Sequence, residues 1–323
     1  MRVWLSLVLV GLLSGLAALG GAGGQEPDLQ AALDTALDDE RRAIAFYEAV
    51  MEQHGRVRPF ANIVEAERRH EAALLAQYQR LGLTAPGDRW ADATFAVPET
   101  LAECADLSVV AEVRNGRIYE ELLETIDDEA VRLVFVRLRD ASLQRHLPAF
   151  ERHGSGWAPV APDQLTAVQQ AQRDKALAAR EAMFGALLGE LTAAMSEGGP
   201  AEAIDVCAVR APAIGAEVAR THGVRIGRTS WKLRNPENGP PVWAELLVDE
   251  RPQTPRFMAD RAGRLGALTP IRLAGACLQC HGAAEQLAPG VAGALERRYP
   301  DDEATGFGEG DLRGWFWIEA PAP

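Results

Sequence analysis

Residues 58–82 read RPFANIVEAERRHEAALLAQYQRLG, and the fold of the first half follows from how this stretch is read. It is rich in Ala, Leu, Glu and Arg, repeats with helical periodicity, and ends at Gly82, where a helix C-cap is expected. In its middle, Glu67 and His70 stand three residues apart and so share one helical face. Three further stretches have the same character: about 28–54, 99–125 and 129–153. Gly55 marks the end of the first, and Asp127-Asp128 offer a start for the last. The connections are short except for Leu83 to Pro98, which holds two prolines and could cross a bundle. Short–long–short is one known wiring of four helices.

The four stretches carry an internal repeat. Glu40 is followed seven residues later by Tyr47, and Glu112 seven residues later by Tyr119. Seven residues is about two turns, so each Glu/Tyr pair lies on one face. Glu67-x-x-His70 on the second helix corresponds to His146 on the fourth. Folding each hairpin at its turn brings Glu40 within a turn of Glu67 and His70, and Glu112 beside His146. Acids and histidines therefore converge at mid-bundle from all four helices. A Glu from two helices and a Glu-x-x-His from each of the others is the ligand set of a carboxylate-bridged di-iron or di-manganese site.

On these residues the first half resembles the ferritin-like superfamily, and more closely its small exported members of uncertain function. The resemblance implies metal ligation by Glu40, Glu67, His70, Glu112 and His146, with Tyr47 near the metals, and iron or manganese as the cofactor. One position departs from the pattern. Leu143 stands three residues before His146, where a second Glu belongs, and its neighbours Ser142 and Gln144 are not anionic substitutes. Such a set could hold one metal, an asymmetric pair, or none, the last being a bundle with satisfied polar core groups.

The chain has 323 residues, enough for two domains, with 47% hydrophobic and 24% charged residues, as in globular proteins. Its 33 Lys and Arg against 46 Asp and Glu give a net charge of −13, which argues against a nucleic-acid partner. Its one long apolar run, Val3 to about Leu19, follows Arg2 and precedes small residues, the order of a secretory signal. An uncleaved anchor is the alternative. Cleavage near Gly24 would leave no membrane span and place the protein in a periplasm. The organisation expected is a signal peptide at 1–24, a ferritin-like bundle at 25–153, a Gly/Pro linker at 154–162 (GSGWAPVAP) and a second domain at 163–323.

The second domain contains Cys277-Leu278-Gln279-Cys280-His281, the C-x-x-C-H of c-type haem attachment. Two thiols three residues apart on one turn can add to the two vinyl groups of a single haem, and the adjacent His281 can reach the iron as proximal ligand. A zinc site would need a second ligand pair of similar spacing, and the remaining cysteines, Cys104 and Cys207, are isolated. Around this motif the chain resembles a family of small exported haem-c domains with a PAS-like α/β fold. The matching blocks are Ala203-Ile204-Asp205-Val206-Cys207, Gly227-Arg228-Thr229-Ser230, Lys232-Leu233-Arg234-Asn235-Pro236, the CLQCH itself, and Tyr299-Pro300-Asp301 onward to Trp315. The late part of that last block contains Ala304-Thr305-Gly306-Phe307-Gly308 and Gly310-Asp311-Leu312-Arg313-Gly314.

The resemblance implies helices over about 163–222 and a small antiparallel sheet with strands near 224–234, 242–248 and 313–319. It also implies His/Cys haem coordination with Cys207 as the distal ligand. A disulfide between Cys207 and Cys104, or a free buried thiol, are the alternatives, and His222, Met195 and Met258 are other distal candidates. Trp231, Trp243, Trp315 and Trp317 are expected within strands, on a packed sheet face. His54 and His153, each just before a Gly at a helix end, are expected to be C-terminal capping charges.

The function expected is that of an exported redox protein with one covalent haem, acting in electron transfer or in redox or gas sensing. A ferritin-like domain with a non-haem metal site would be fused to it. The alternative is a di-metal oxidase or peroxidase fed electrons by the haem. A redox partner protein is expected, and a homo-oligomer is compatible with the sequence.

Overall fold

A computed structural model describes residues 25–323, without the side chains of residues 25–28 and of Cys207. The export segment expected at 1–24 lies outside the described residues. Among the described residues no helix is long and apolar enough to cross a membrane. The chain is helix-rich with one small antiparallel sheet, and it divides into two compact units, one ending at Gly156 and the other spanning Trp157–Pro323.

The first unit consists of α1 (Gln25–His54), α2 (Phe60–Leu81), α3 (Leu101–Thr125), α4 (Glu129–Ala141) and α5 (Leu147–His153). A π-helical turn at Ser142–His146 joins α4 and α5 into one rod, so four rods make up the unit. The ends are set locally. Gly82 takes the left-handed conformation at φ 68° and its N–H returns to Gln79 and Tyr78. The Thr100 hydroxyl accepts from Glu103 N, and the Asp128 carboxylate accepts from Val131 N. His54 Nε2 lies 2.9 Å from Pro98 O, which ties the end of α1 to the long connection.

Two apolar clusters occupy the two ends of the bundle. One contains Leu33, Leu37, Leu74, Tyr78, Tyr119 and Phe135; the other contains Phe46, Tyr47, Phe60, Val64 and Phe150. Burying side chains of this size contributes roughly 1.5–3 kcal/mol each. On every rod the residues between the clusters are polar and buried: Glu40, Glu67, Glu112, Asn115, Ser142 and His146.

The second unit holds α6 (Ala167–Glu197), α7 (Gly199–His222), β2 (Arg225–Thr229), α8 (Val242–Glu250), β3 (Arg256–Ala259), β4 (Leu265–Arg272), α9 (Leu278–His281), α10 (Val291–Arg298) and β5 (Leu312–Ala320). With β1 (Ala158–Val160) the strands run β1-β3-β4-β5-β2, every neighbour antiparallel. Along β5 the side chains alternate. Phe316, Ile318 and Ala320 pack with Met183, Ile214 and Val218 of α6 and α7, while Trp315 and Trp317 pack with Trp243 and Leu247 of α8. Gly227 pairs with Trp317 across the β2/β5 ladder, and a Cβ there would sit 2.5 Å from the indole.

Three expectations are corrected. Residues 242–248 form helix α8 rather than a strand; Pro240-Pro241 precede its apolar face, and Pro241 takes the N-cap position. Trp243 is therefore helical and Trp231 lies in a loop, leaving only Trp315 and Trp317 on a strand. The stretch 154–162 is not purely a linker, because Ala158–Val160 adds an edge strand to β3. An edge is where Pro159 is tolerated, since its missing N–H can face outward.

Candidate functional site

The polar layer of the bundle brings Glu40, Glu67, His70, Glu112 and His146 together. Glu67 lies at the centre, with His70 Nδ1 2.7 Å from its Oε2 and His146 Nδ1 3.0 Å from its Oε1. His70 Nδ1 is also 3.2 Å from Glu40 Oε2, and His146 Nδ1 is 3.6 Å from Glu112 Oε1. The two imidazoles stack at 5.5 Å with 20° between planes. Ligand atoms of Glu67, His70 and His146 all lie within 4.8 Å of one another.

The tyrosines pair crosswise. Tyr47 on α1 donates to Glu112 Oε1 on α3 at 2.8 Å, and Tyr119 on α3 donates to Glu40 Oε1 on α1 at 2.6 Å. Each repeat thus caps the carboxylate of the other. The seven-residue spacing places each Glu and Tyr on one face, but it does not reveal that their bonds cross. The symmetry fails at one place: Leu143 packs against Gly116, where a Cβ would meet its Cδ2 at 2.5 Å. Beside the cluster, Ser142 donates to Asn115 Oδ1 at 2.7 Å, and Asn115 donates to Asp39 Oδ2 at 2.7 Å. Arg42 pairs with the other oxygen of Asp39. This second polar set escaped the sequence reading; its one signal is Asp39 beside Glu40.

Burial works to raise the Glu67 carboxyl, but contact with His146 and His70 outweighs it and brings the group down to about 2. Burial pushes Glu40 up to about 8, helped by the charge of Glu67. Burial likewise raises Glu112. Burial opposes charging of the histidines, yet Glu40 and Glu67 lift His70 to about 9, and Glu112 and Glu67 lift His146 to about 10. Without a metal the cluster is a carboxylate between two imidazolium rings. Glu67 Oε2 and His146 Nδ1 nevertheless have no well-aligned hydrogen-bond partner among the described residues. Their neighbours are close but off the bonding direction. Buried polar atoms in that state are what an ion between them would satisfy, so the residues fit a metal.

In the second unit the CLQCH segment forms the last turn of a short helical stretch. His281 Nδ1 lies 2.7 Å from Ala304 O, so Nδ1 carries the proton and the lone pair stays on Nε2. Burial first, then the charges of Arg234, Arg313 and Arg228, lowers His281 to about 3 and keeps the ring neutral. Cys277 packs against the cluster of Leu273, Ala304 and Phe307, while Cys280 packs against the cluster that Ile204 of α7 forms with Val291, Ala294 and Leu295 of α10. Ile204, one turn before position 207 on α7, thus shares an apolar cluster with a residue of the motif.

Cys207 is placed on α7, but its side chain, and with it the expected distal ligation, lies outside the described residues. Cys104 is a free, buried thiol. His222 is the last residue of α7, and Met258 packs in the Trp243/Trp315 cluster on β3. Neither Met195 nor Met258 belongs to the clusters that hold Cys277 and Cys280. A cavity of about 290 Å³ lies between α7 and β2, lined by Ala208, Ala211, Gly227, Arg228, Asn235 and Tyr299 among others.

The model of the Tll0287-like family matches residues 150–321. The crystal structure of the cyanobacterial haem protein Tll0287 is 26% identical over 50% of this chain and 97% of its own, at a TM-score of 0.36. A hypothetical protein of Methanococcus jannaschii matches at 18% identity over 43% of this chain and 84% of its own, with a TM-score of 0.36. A conserved hypothetical protein of Mycobacterium tuberculosis matches at 20% identity, over 40% of this chain and 98% of its own, with a TM-score of 0.35. No curated protein matches the chain.

Proposed function

The chain belongs to the Tll0287-like family, and from that premise we propose that its second unit is a haem-c redox domain fused to a ferritin-like, metal-holding bundle. The observation that carries this reading is His281: a buried, neutral imidazole fixed through Nδ1 to Ala304 O, directly after two cysteines with the spacing of haem attachment. Cys277 and Cys280 would hold the haem by thioethers and His281 would be its proximal ligand. Cys207 is proposed as the distal ligand, supported by Ile204, one turn earlier on α7, belonging to the apolar cluster that Cys280 packs against. Thiolate donation would favour the ferric state and lower the potential. Bound haem supplies one-electron exchange; the polypeptide fixes the imidazole tautomer through Ala304 O and sets Phe307 edge-on beside the ring.

In the bundle, Glu67, His70 and His146 would hold iron or manganese, with Glu40 and Glu112 completing the set. When bound, such metal supplies redox or Lewis-acid chemistry. Tyr47 and Tyr119 donate hydrogen bonds to Glu112 and Glu40, which orients those groups and favours their ionised form against burial. A redox role that uses the haem to exchange electrons or sense them fits both sites, in an exported protein served by a redox partner. The alternative is a di-metal oxidase or peroxidase; the buried tyrosine–carboxylate pairs beside the cluster favour keeping it in view.

The test is expression with a haem-maturation system and an intact leader. The purified protein should remain red after acid–acetone extraction, with its mass raised by one haem. A colourless protein of apo mass overturns the reading. Metal analysis of the same sample should find at most two ions beyond the haem iron, lost in a Glu67→Ala/His70→Ala variant.

A further inference from the structure

A group of cations surrounds His281, and no attachment or axial-ligand role uses it. The Phe307 ring stands edge-on to the His281 ring, with centroids 6.4 Å apart at 84°. Two cations lie over that same Phe307 ring: Lys232 Nζ at 5.2 Å from its centroid and Arg313 Cζ at 5.6 Å. Arg234 lies behind the motif and donates to Cys280 O at 2.6 Å and to Ala304 O at 3.3 Å, the carbonyl that also holds His281.

Among the described residues, Asp302 is the acid seen beside Arg234 and Arg313. Arg234 is paired with Asp302, its Nε 3.2 Å from each carboxylate oxygen. Asp302 is also the acid that faces Arg313, whose other charged neighbours are Arg234 and Arg228. The hydrogen bonds of Arg313 and Lys232 go to backbone carbonyls, Lys232 O at 3.1 Å and Thr305 O at 3.3 Å respectively. Burial and the two neighbouring guanidinium groups bring Arg313 down to about 9. Arg234 is only 13% exposed and Asp302 only 7%. Positive charge gathered in so dry a place is costly unless an anion accompanies it.

Resting on the haem reading above, we infer that Lys232, Arg234 and Arg313, with Arg228, form a seat for carboxylates, and that the haem propionates occupy it. The chemistry fits on both sides. A haem bound through its vinyl groups still carries two carboxylates. A guanidinium fork matches a carboxylate in two parallel hydrogen bonds, and charge-assisted bonds of this kind are roughly twice as strong as neutral ones. A free oxyanion shares that chemistry, so the experiment has to separate the two sources.

The test uses the full-length, haem-loaded chain and its Arg313→Gln, Lys232→Gln and Arg313→Lys variants. Midpoint potentials are read by optical titration, and carboxylate bands by infrared difference spectra of protein made with carboxyl-labelled haem. Arg313→Gln should lower the potential, because a positive charge near the iron favours the reduced state, and should shift the labelled bands. Lys232→Gln should act in the same direction, and Arg313→Lys should return most of the potential. Added phosphate should leave wild type unchanged. Unaltered bands and potential in both Gln variants overturn the proposal while the haem reading stands. A wild-type potential that moves with phosphate, and stops doing so in Arg313→Gln, assigns the seat to a free oxyanion and overturns the propionate assignment. A wild type without covalent haem overturns the underlying reading, and the proposal with it.

Discussion

The two units use buried histidine in opposite electrostatic states. In the bundle, His70 and His146 flank Glu67 and are lifted to about 9 and 10 by the carboxylates around them. In the second unit His281 meets Arg234, Arg313 and Arg228 instead, and burial with those charges lowers it to about 3. The difference lies wholly in the neighbours. Acids hold a buried histidine charged; burial together with arginines holds one neutral, with a fixed tautomer. A histidine in a sequence is thus uninformative until its charged neighbours are known.

The sharpest way to break this comparison is to remove the feature that separates the second site from an ordinary buried histidine. Cys277→Ala with Cys280→Ala should abolish covalent haem completely, read by mass and by extraction of the colour, while His281 and its arginines remain. Residual covalent haem in that variant would mean that another thiol attaches it. The next effect is on stability. Glu67→Ala leaves two imidazolium rings facing each other without the carboxylate between them. Breaking a buried ion pair in this way costs about 3–5 kcal/mol, measurable as a lowered denaturation midpoint of the metal-free protein. A variant as stable as wild type would show that the rings are neutral and that Glu67 does not hold them.

A smaller effect tests the crossed pairing inside the bundle. Tyr47→Phe and Tyr119→Phe each remove one hydroxyl from a buried carboxylate, a loss of roughly 1.5–3 kcal/mol. Because the pairs are Tyr47–Glu112 and Tyr119–Glu40, a double-mutant cycle should find coupling in these combinations. Coupling instead between Tyr47 and Glu40, neighbours on one helix, would contradict the geometry.

How far the sequence discloses these sites differs between the units. Helix ends marked by Gly82 and Asp128 are visible because capping is local chemistry. Convergence of Glu40, Glu67, His70, Glu112 and His146 is visible because helical spacing and turn position suffice to align them. The crossing of the tyrosines is not visible, since it depends on how the two hairpins pack. The π turn at 142–146 is equally hidden, and so is the use of Gly116 to seat Leu143. In the second unit CLQCH is explicit, because its five residues are contiguous in the sequence. Helix α8 departs from the strand that the resemblance implies at 242–248, and its short apolar run suits either form. The arginines around His281 lie within quoted blocks, yet their convergence depends on strands and loops distant in sequence.

The last effect is the pH response of the metal-free, haem-free chain, where the two kinds of histidine should pull in opposite directions. His70 and His146 have folded values raised above the ordinary 6.5, to about 9 and 10. Their contribution is fully present below pH 6.5 and is lost as pH rises through about 9 to 10. Glu67, lowered from 4.5 to about 2, contributes above pH 4.5 and loses that contribution as pH falls toward 2. His281 is lowered from 6.5 to about 3, so the folded state resists its protonation. The unfolded chain takes up that proton first, and the second unit therefore loses stability as pH falls from 6.5 toward 3. Between pH 6.5 and about 4.5 the histidine and Glu67 contributions in the bundle are intact while the second unit is already weakening. Denaturation followed by unit-specific hydrogen exchange should show exchange in β4 and β5 accelerating across that window, while α2 and α3 do not accelerate, because the raised Glu40 and Glu112 favour the folded bundle as pH falls. The opposite order, with the bundle exchanging first on mild acidification, would mean that His70 and His146 are not held charged by Glu67.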